Sequence, residues 1–315
     1  MDIFTSEEKI EYGSVEPSTW HHKKHGSDGF CTEMKSYYAT FNNLRRLRWM
    51  IANCDEPLTT DAMDCAAASG HLHNVIWFHN KRFEGCTTAA MDRAASRGLI
   101  SIVKWLHVHR SEGCTTAALD GAATIGHFEV VKFLHENRPE GCTTAAMDRA
   151  ASNGHLHVVK FLHENRFEGC TTAAMDGAVA NSHVDMVRWL HENRSEGCST
   201  AAMDNAAGQN YLAAVKWLND KREEGCSPAA LTNAASKGYL DVVKYLHTEV
   251  GQPATDAAIT AAAENDHLQV VEYLHENRGG DCTADTINQA KTDYPQIDGE
   301  WQQVHDEEEG LDDLA

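Results

Sequence analysis

No run of about 18 apolar residues occurs in the 315-residue chain, so nothing in it is built to cross a bilayer as a single helix. The first 13 residues have no apolar stretch of the secretory-leader kind, and the expectation is a protein that is not secreted. Basic charge is scarce: 27 Lys and Arg stand against 47 Asp and Glu, a formal net charge of −20. That balance lacks the cationic surface that general nucleic-acid or anionic-membrane binding requires. A glycine-rich phosphate loop, a nucleophile elbow, a metalloprotease helix motif and a catalytic Cys/His pairing are all missing. The ten cysteines include no Cys-x-x-Cys spacing. Without a leader they point to a reducing cytoplasmic setting, with the nucleus as a second possibility.

What the chain does have is a repeat. Met63, Met91, Leu119, Met147, Met175, Met203, Leu231, Ile259 and Ile287 stand 28 residues apart without insertion or deletion. A fixed period of this size signals an array of stacked supersecondary units. The copy at 141–165 shows what one unit builds. Thr143 or Thr144 can cap a first helix, on which Ala146, Met147, Ala150 and Ala151 share one face. Asp148, Arg149, Ser152 and Asn153 point away from it, and Asn153-Gly154 is a turn. A second helix near 155–165 carries Leu156, Val158, Val159 and Leu162 on an apolar arc. One such hairpin cannot bury both its faces, but stacked copies can.

Ala-Ala-x-x-Gly-His-Leu-x-Val-Val-Lys-x-Leu stands nearly intact at 150–162 and in edited form in every full copy. In these residues the chain resembles the ankyrin repeats over roughly 59–290. The resemblance implies an all-α, ankyrin-type solenoid of stacked helix-turn-helix repeats and a role in binding proteins. It also implies that the outward side of the first helices is a concave groove. Two departures bear on this. The unit is about five residues shorter than the usual 33, the loss falling where a β-turn finger projects. Ala-Ala-Met-Asp also replaces the Thr-Pro-Leu-His opening. Binding roles of finger tips are therefore not carried over.

Four segments follow. Residues 1–30 are polar and expected to be disordered, and 31–56 read as an atypical capping hairpin. The array, eight full copies and a half copy, occupies 57–291. Residues 292–315 form an acidic tail with nine Asp or Glu and no Lys or Arg. In the later copies Asn210-Tyr211 and Asp266-His267 replace Gly-His, and 249–253 replace the Arg-x-Glu-Gly turn.

Each repeat position becomes a column. Cysteines at 86, 114, 142, 170, 198, 226 and 282 suit close stacking. Helices packed about 8–10 Å apart keep neighbours from bridging as disulfides or sharing a zinc ion. Histidines at 79, 107, 135, 163, 191, 247 and 275 lie within the apolar arc of the second helix, and the backbone of the following turn is their simplest partner. A metal- or redox-responsive protein using these two columns is the alternative function. Turn histidines at 71, 127, 155, 183 and 267 match the family's turn histidine. Aspartates at 64, 92, 120, 148, 176 and 204 recur singly, which suits hydrogen bonds to helix or neighbouring turn better than paired acid–base chemistry. The aromatic column running from Trp49 to Tyr273 reads as packing. Arg82, Arg110, Arg138, Arg166, Arg194 and Arg222, beside Glu84, Glu112, Glu140, Glu168, Glu196 and Glu224, read as an alternating surface charge lattice.

If the framework is structural, function lies where copies differ. On the first helix these positions are Arg93, Gly121, Arg149, Gly177, Asn205, Asn233 and Ala261. Just before the turn they are Arg97, Ile125, Asn153, Asn181, Gln209, Lys237 and Asn265. Arg93, Arg97, Ile125, Arg149, Asn153, Asn181, Asn205, Gln209, Asn233 and Lys237 are the expected partner-binding residues. The expectation is a monomeric scaffold that binds a protein without catalysis, metal or cofactor.

Overall fold

The computed structural model describes residues 59–81 and 84–277. The expected N-terminal segment, capping hairpin, final half copy and acidic tail lie outside the described residues. Among those described, all regular structure is helical and follows the 28-residue period. First helices begin at Thr60, Thr88, Thr116, Thr144, Thr172, Thr200, Pro228 and Asp256. Second helices follow the turn, as at Leu72–Lys81, Leu156–Asn165 and Leu268–Glu276. The architecture is all-α and of the ankyrin type, built from successive packed helix pairs.

Two compact units contain these repeats. One takes the described residues up to Ala122 together with Glu129–Gly141, and the other takes Ala123–Phe128 together with those from Cys142 on. In the first unit, Thr60–Ala68 packs on Thr88–Ser96, and these two first helices pack on Leu72–Lys81 and Ile100–His109 respectively. In the second, Thr144–Ser152, Thr172–Ala180, Thr200–Ala207, Pro228–Ala235 and Asp256–Glu264 pack in succession.

The reason for the stacking is visible in the burial. Ala94 and Ala95, or Ala150 and Ala151, are fully covered, and Met91 and Met147 are within 2% of it. Small side chains bring the first helices close, and the methionine fills what remains. From the second helix Val158, Val159 and Leu162 are buried. Leu156 is only half-buried, because it opens the helix beside the turn rather than lying within the arc.

Most first helices are capped by the hydroxyl the pattern selected, although Thr59 makes no such bond at the first of them. The Oγ1 of Thr87, Thr143 and Thr171 accepts from the N–H two residues on, as do the hydroxyls of Ser199 and Ser227. That hydroxyl satisfies one of the free amides of the first turn.

Candidate functional site

The junction between copies consumes most of the framework columns. Asp148 reaches the next copy, where its Oδ1 accepts from Thr171 N–H at 2.7 Å and its Oδ2 from Thr171 Oγ1 at 2.9 Å. Asp176 does the same to Ser199 and Asp204 to Ser227, at 2.6–2.8 Å. In the first unit Asp64 holds Thr87 and Asp92 holds Thr115. The hydroxyls of Thr87, Thr115, Thr171, Ser199 and Ser227 thus accept within their own helices and donate to the carboxylate of the copy before. The expected neighbouring-turn role of the aspartates is what the structure shows, although Asp148 is half-buried at the junction rather than pointing away.

The Arg-x-Glu turns correct the sequence reading. Arg166 Nε donates to Glu168 Oε2 at 3.2 Å while Nη2 donates to Oε1, a bidentate pair. Glu168 Oε1 also accepts from the backbone N–H of Cys142, 26 residues earlier, at 3.5 Å. Glu112 reaches Cys86, Glu140 reaches Cys114 and Glu224 reaches Cys198 in the same way. These are half-buried latches between successive turns and not an exposed lattice; the turn folds the pair back over the preceding copy instead of presenting it to water. The Arg222 guanidinium holds the Glu224 carboxyl down at about 2.

Under each latch lies a cysteine. Burial pushes the thiols of Cys86, Cys114, Cys170, Cys198 and Cys226 up to about 11, which keeps them protonated at neutral pH. All seven described cysteines are free thiols. Among the described residues no three His, Cys, Asp or Glu side chains converge as a metal-ligating group.

The second-helix histidines meet the expected backbone partner at His247 and depart from it at His79 and His163. His247 Nδ1 pairs with a backbone carbonyl, Gln252 O, at 2.9 Å. His79 and His163 instead meet Arg110 and Arg194 of the next turn, at 3.4 and 3.2 Å. Arginine only donates, so these Nδ1 atoms accept. Rings stack edge-on along the column, His163 on Trp189 and His191 on Trp217, with centroids 5.2 and 5.1 Å apart. The aromatic column packs against neighbouring copies. The turn histidine His155 lies over Gly126, where a Cβ would come within 2.6 Å of Nδ1. Burial, with His157 adding like charge, holds its pKa below the usual imidazole value.

The expected partner-binding residues separate into two rows. Arg93, Arg149, Asn205 and Asn233 are exposed, and their side chains make no hydrogen bond to the described residues. Between them Gly177 is a fitted position and not a tolerant one, since a Cβ there would meet Ser152 Cβ at 2.6 Å. Gly121 faces Ser96 in the same way.

Five residues of the pre-turn row are tied to the preceding copy, while Asn265 donates to Ala261 O of its own helix at 2.8 Å. Arg97 donates to Ala68 O at 3.0 Å. Asn153 donates to Thr124 O at 2.8 Å, Asn181 to Ser152 O at 2.9 Å, Gln209 to Ala180 O at 2.8 Å and Lys237 to Gly208 O at 2.7 Å. Each clasps a carbonyl 29 residues back, at the end of the preceding first helix, where carbonyls lack helical partners. Ile125 has nothing to donate and stands 53% exposed. The signal for this was in the sequence: the row changes identity but, apart from Ile125, always supplies an N–H donor and never a carboxylate.

No helix among the described residues is long and apolar enough to cross a membrane. A family model described as ankyrin repeats (3 copies) matches residues 119–204 and 201–286, more than half of the chain. Among curated proteins no relative matches it. With the period, the helix pairs, the turn histidines and this match in agreement, the chain belongs to the ankyrin-repeat family.

Proposed function

We propose that the chain is a protein-interaction module that binds a protein partner through the outward side of its first helices and performs no catalysis. Ankyrin repeats are generally protein-interaction modules. One observation carries the proposal further. Framework columns are spent on capping, latching and packing, whereas Arg93, Arg149, Asn205 and Asn233 are exposed, uncommitted and different from copy to copy. Arginine is a frequent anchor where such a face meets a partner. Within each copy the pre-turn residue, clasped at Arg97, Asn153, Asn181, Gln209 and Lys237, follows the first-helix position by four residues. A monomer with a charge of −20 favours a protein partner over nucleic acid or membrane.

The test compares captures from a native lysate by three proteins: wild type, a variant with Arg93, Arg149, Asn205 and Asn233 all changed to Ala, and a control with Lys160, Arg188 and Lys216 changed to Ala. None of the substituted side chains makes a junction hydrogen bond, so circular dichroism should be unchanged. A partner held by wild type and control but weakened about tenfold or more in the first variant supports the proposal. A partner held equally by all three excludes this face.

A further inference from the structure

The clasps leave something behind. In Asn153 and Asn181 the amide nitrogen is committed to a carbonyl, and Gln209 spends its nitrogen likewise. A carbonyl can only accept, so the orientation of each amide is fixed and its oxygen is turned away from the clasp. None of the three oxygens takes a hydrogen bond from the described residues, and none is a buried atom lacking a partner. The second unit therefore presents three held acceptors, one per repeat, on side chains that have already lost their rotamer freedom. Arg149, exposed, stands one helical turn before the first of them. Lys237, clasped to Gly208 O, stands in the same column one repeat beyond the last.

Acceptors in a row call for donors at the same interval. Packed helices repeat at about 8–10 Å. A polyproline-II strand has three residues per turn, rises about 9.3 Å in those three, and makes no internal hydrogen bonds. Every third N–H then faces the same way at the right interval. A β-strand repeats its facing every two residues, at about 6.6 Å or 13 Å, and misses the interval. An α-helix has its N–H groups committed internally. Cationic side chains as donors are disfavoured by Arg149 and Lys237 at the two ends of the row.

Resting on the interaction face assigned above, we propose that Asn153, Asn181 and Gln209 dock an extended, polyproline-II-like segment of the partner protein. Its backbone N–H groups donate to the three amide oxygens at every third residue, and an acidic side chain at one end meets Arg149.

The probe is a phage-displayed library of random peptides selected on the full chain, followed by fluorescence anisotropy with the most enriched peptide made synthetically. Enriched peptides are expected to carry prolines at a period of three and an acidic residue at one end. N-methylation of peptide nitrogens should weaken binding about tenfold at three positions spaced by three and little between them. The variant Asn153→Lys/Asn181→Lys/Gln209→Lys keeps the clasps, because Lys237 already makes one, but removes the acceptors. It should keep its thermal midpoint and lose the peptide. No enrichment, apolar residues at helical spacing, or N-methylation tolerated throughout would overturn the proposal. A second variant, Arg149→Ala/Asn205→Ala/Asn233→Ala, separates the two levels. If it loses partners that the lysine variant retains, the face stands and the extended-segment proposal falls. If neither variant matters, both fall.

Discussion

Two junctions in the second unit show what holds successive copies together. Between the copies of Thr200–Lys221 and Pro228–Thr248, Asp204 accepts twice from Ser227, and Glu224 is latched by Arg222 onto the backbone of Cys198. Between the copies of Pro228–Thr248 and Asp256–Glu276 both devices are missing. Thr232 stands where the aspartate should be and donates within its own helix to Pro228 O. The latch turn has become Glu249–Pro253, and nothing lies within 4 Å of a Cβ built on Gly225. Cys226 is correspondingly less covered than Cys198. The apolar core is the same on both sides, with Leu231 and Ile259 buried alike. Core packing stacks the copies, and polar junctions fix how firmly each one is held.

Asp204→Ala should show the largest effect, a loss of about 1–3 kcal/mol in urea unfolding, because it strips a two-bond acceptor from Ser227. Thr232→Ala at the last junction should stay within about 0.5 kcal/mol. Equal costs at the two sites would erase the distinction. Acid should act on the same devices. The folded carboxyl of Glu224 titrates at about 2 against an ordinary 4.5, so its contribution is complete above 4.5 and disappears as pH falls toward 2. Urea midpoints measured across that window should fall, and Glu224→Gln should flatten the fall. Thr232→Asp should sharpen the comparison from the other side, gaining up to about 1 kcal/mol if the new carboxylate receives the N–H and hydroxyl of Thr255. The smallest effect is kinetic. Iodoacetamide should label Cys226 roughly several-fold faster than Cys198 in the native protein, since both thiols are held at about 11 and only access differs. Indistinguishable rates would mean that the latch does not cover the thiol.

The fold was legible because its period is unbroken: Met63 to Ile259 marks the buried face of eight first helices, and the Thr or Ser before each marks its cap. The aspartates were legible in kind, since one carboxylate per copy at a constant position has the neighbouring copy as its natural partner. The Arg-x-Glu latch was not. Two charges two residues apart look like any solvated turn, and only the folded path of the chain brings Glu168 to an amide 26 residues earlier. The pre-turn row was legible as variable but not as clasped. Arg97, Asn153, Gln209 and Lys237 share a reach and a donor while sharing no shape, so their variation conceals a common task. The unclasped row, Arg93, Arg149, Asn205 and Asn233, is exposed, and its part in binding is the proposal made above.

Amide hydrogen exchange on the native protein tests most directly whether polar junctions, laid over a uniform core, set the local stability. The N–H groups of Thr171, Ser199 and Ser227 are donated to Asp148, Asp176 and Asp204, whereas Thr255 has no such acceptor. The first three should be protected to a similar degree and Thr255 should exchange far sooner, together with the amides of the final copy. Protection of Thr255 equal to that of Ser227 would contradict the account.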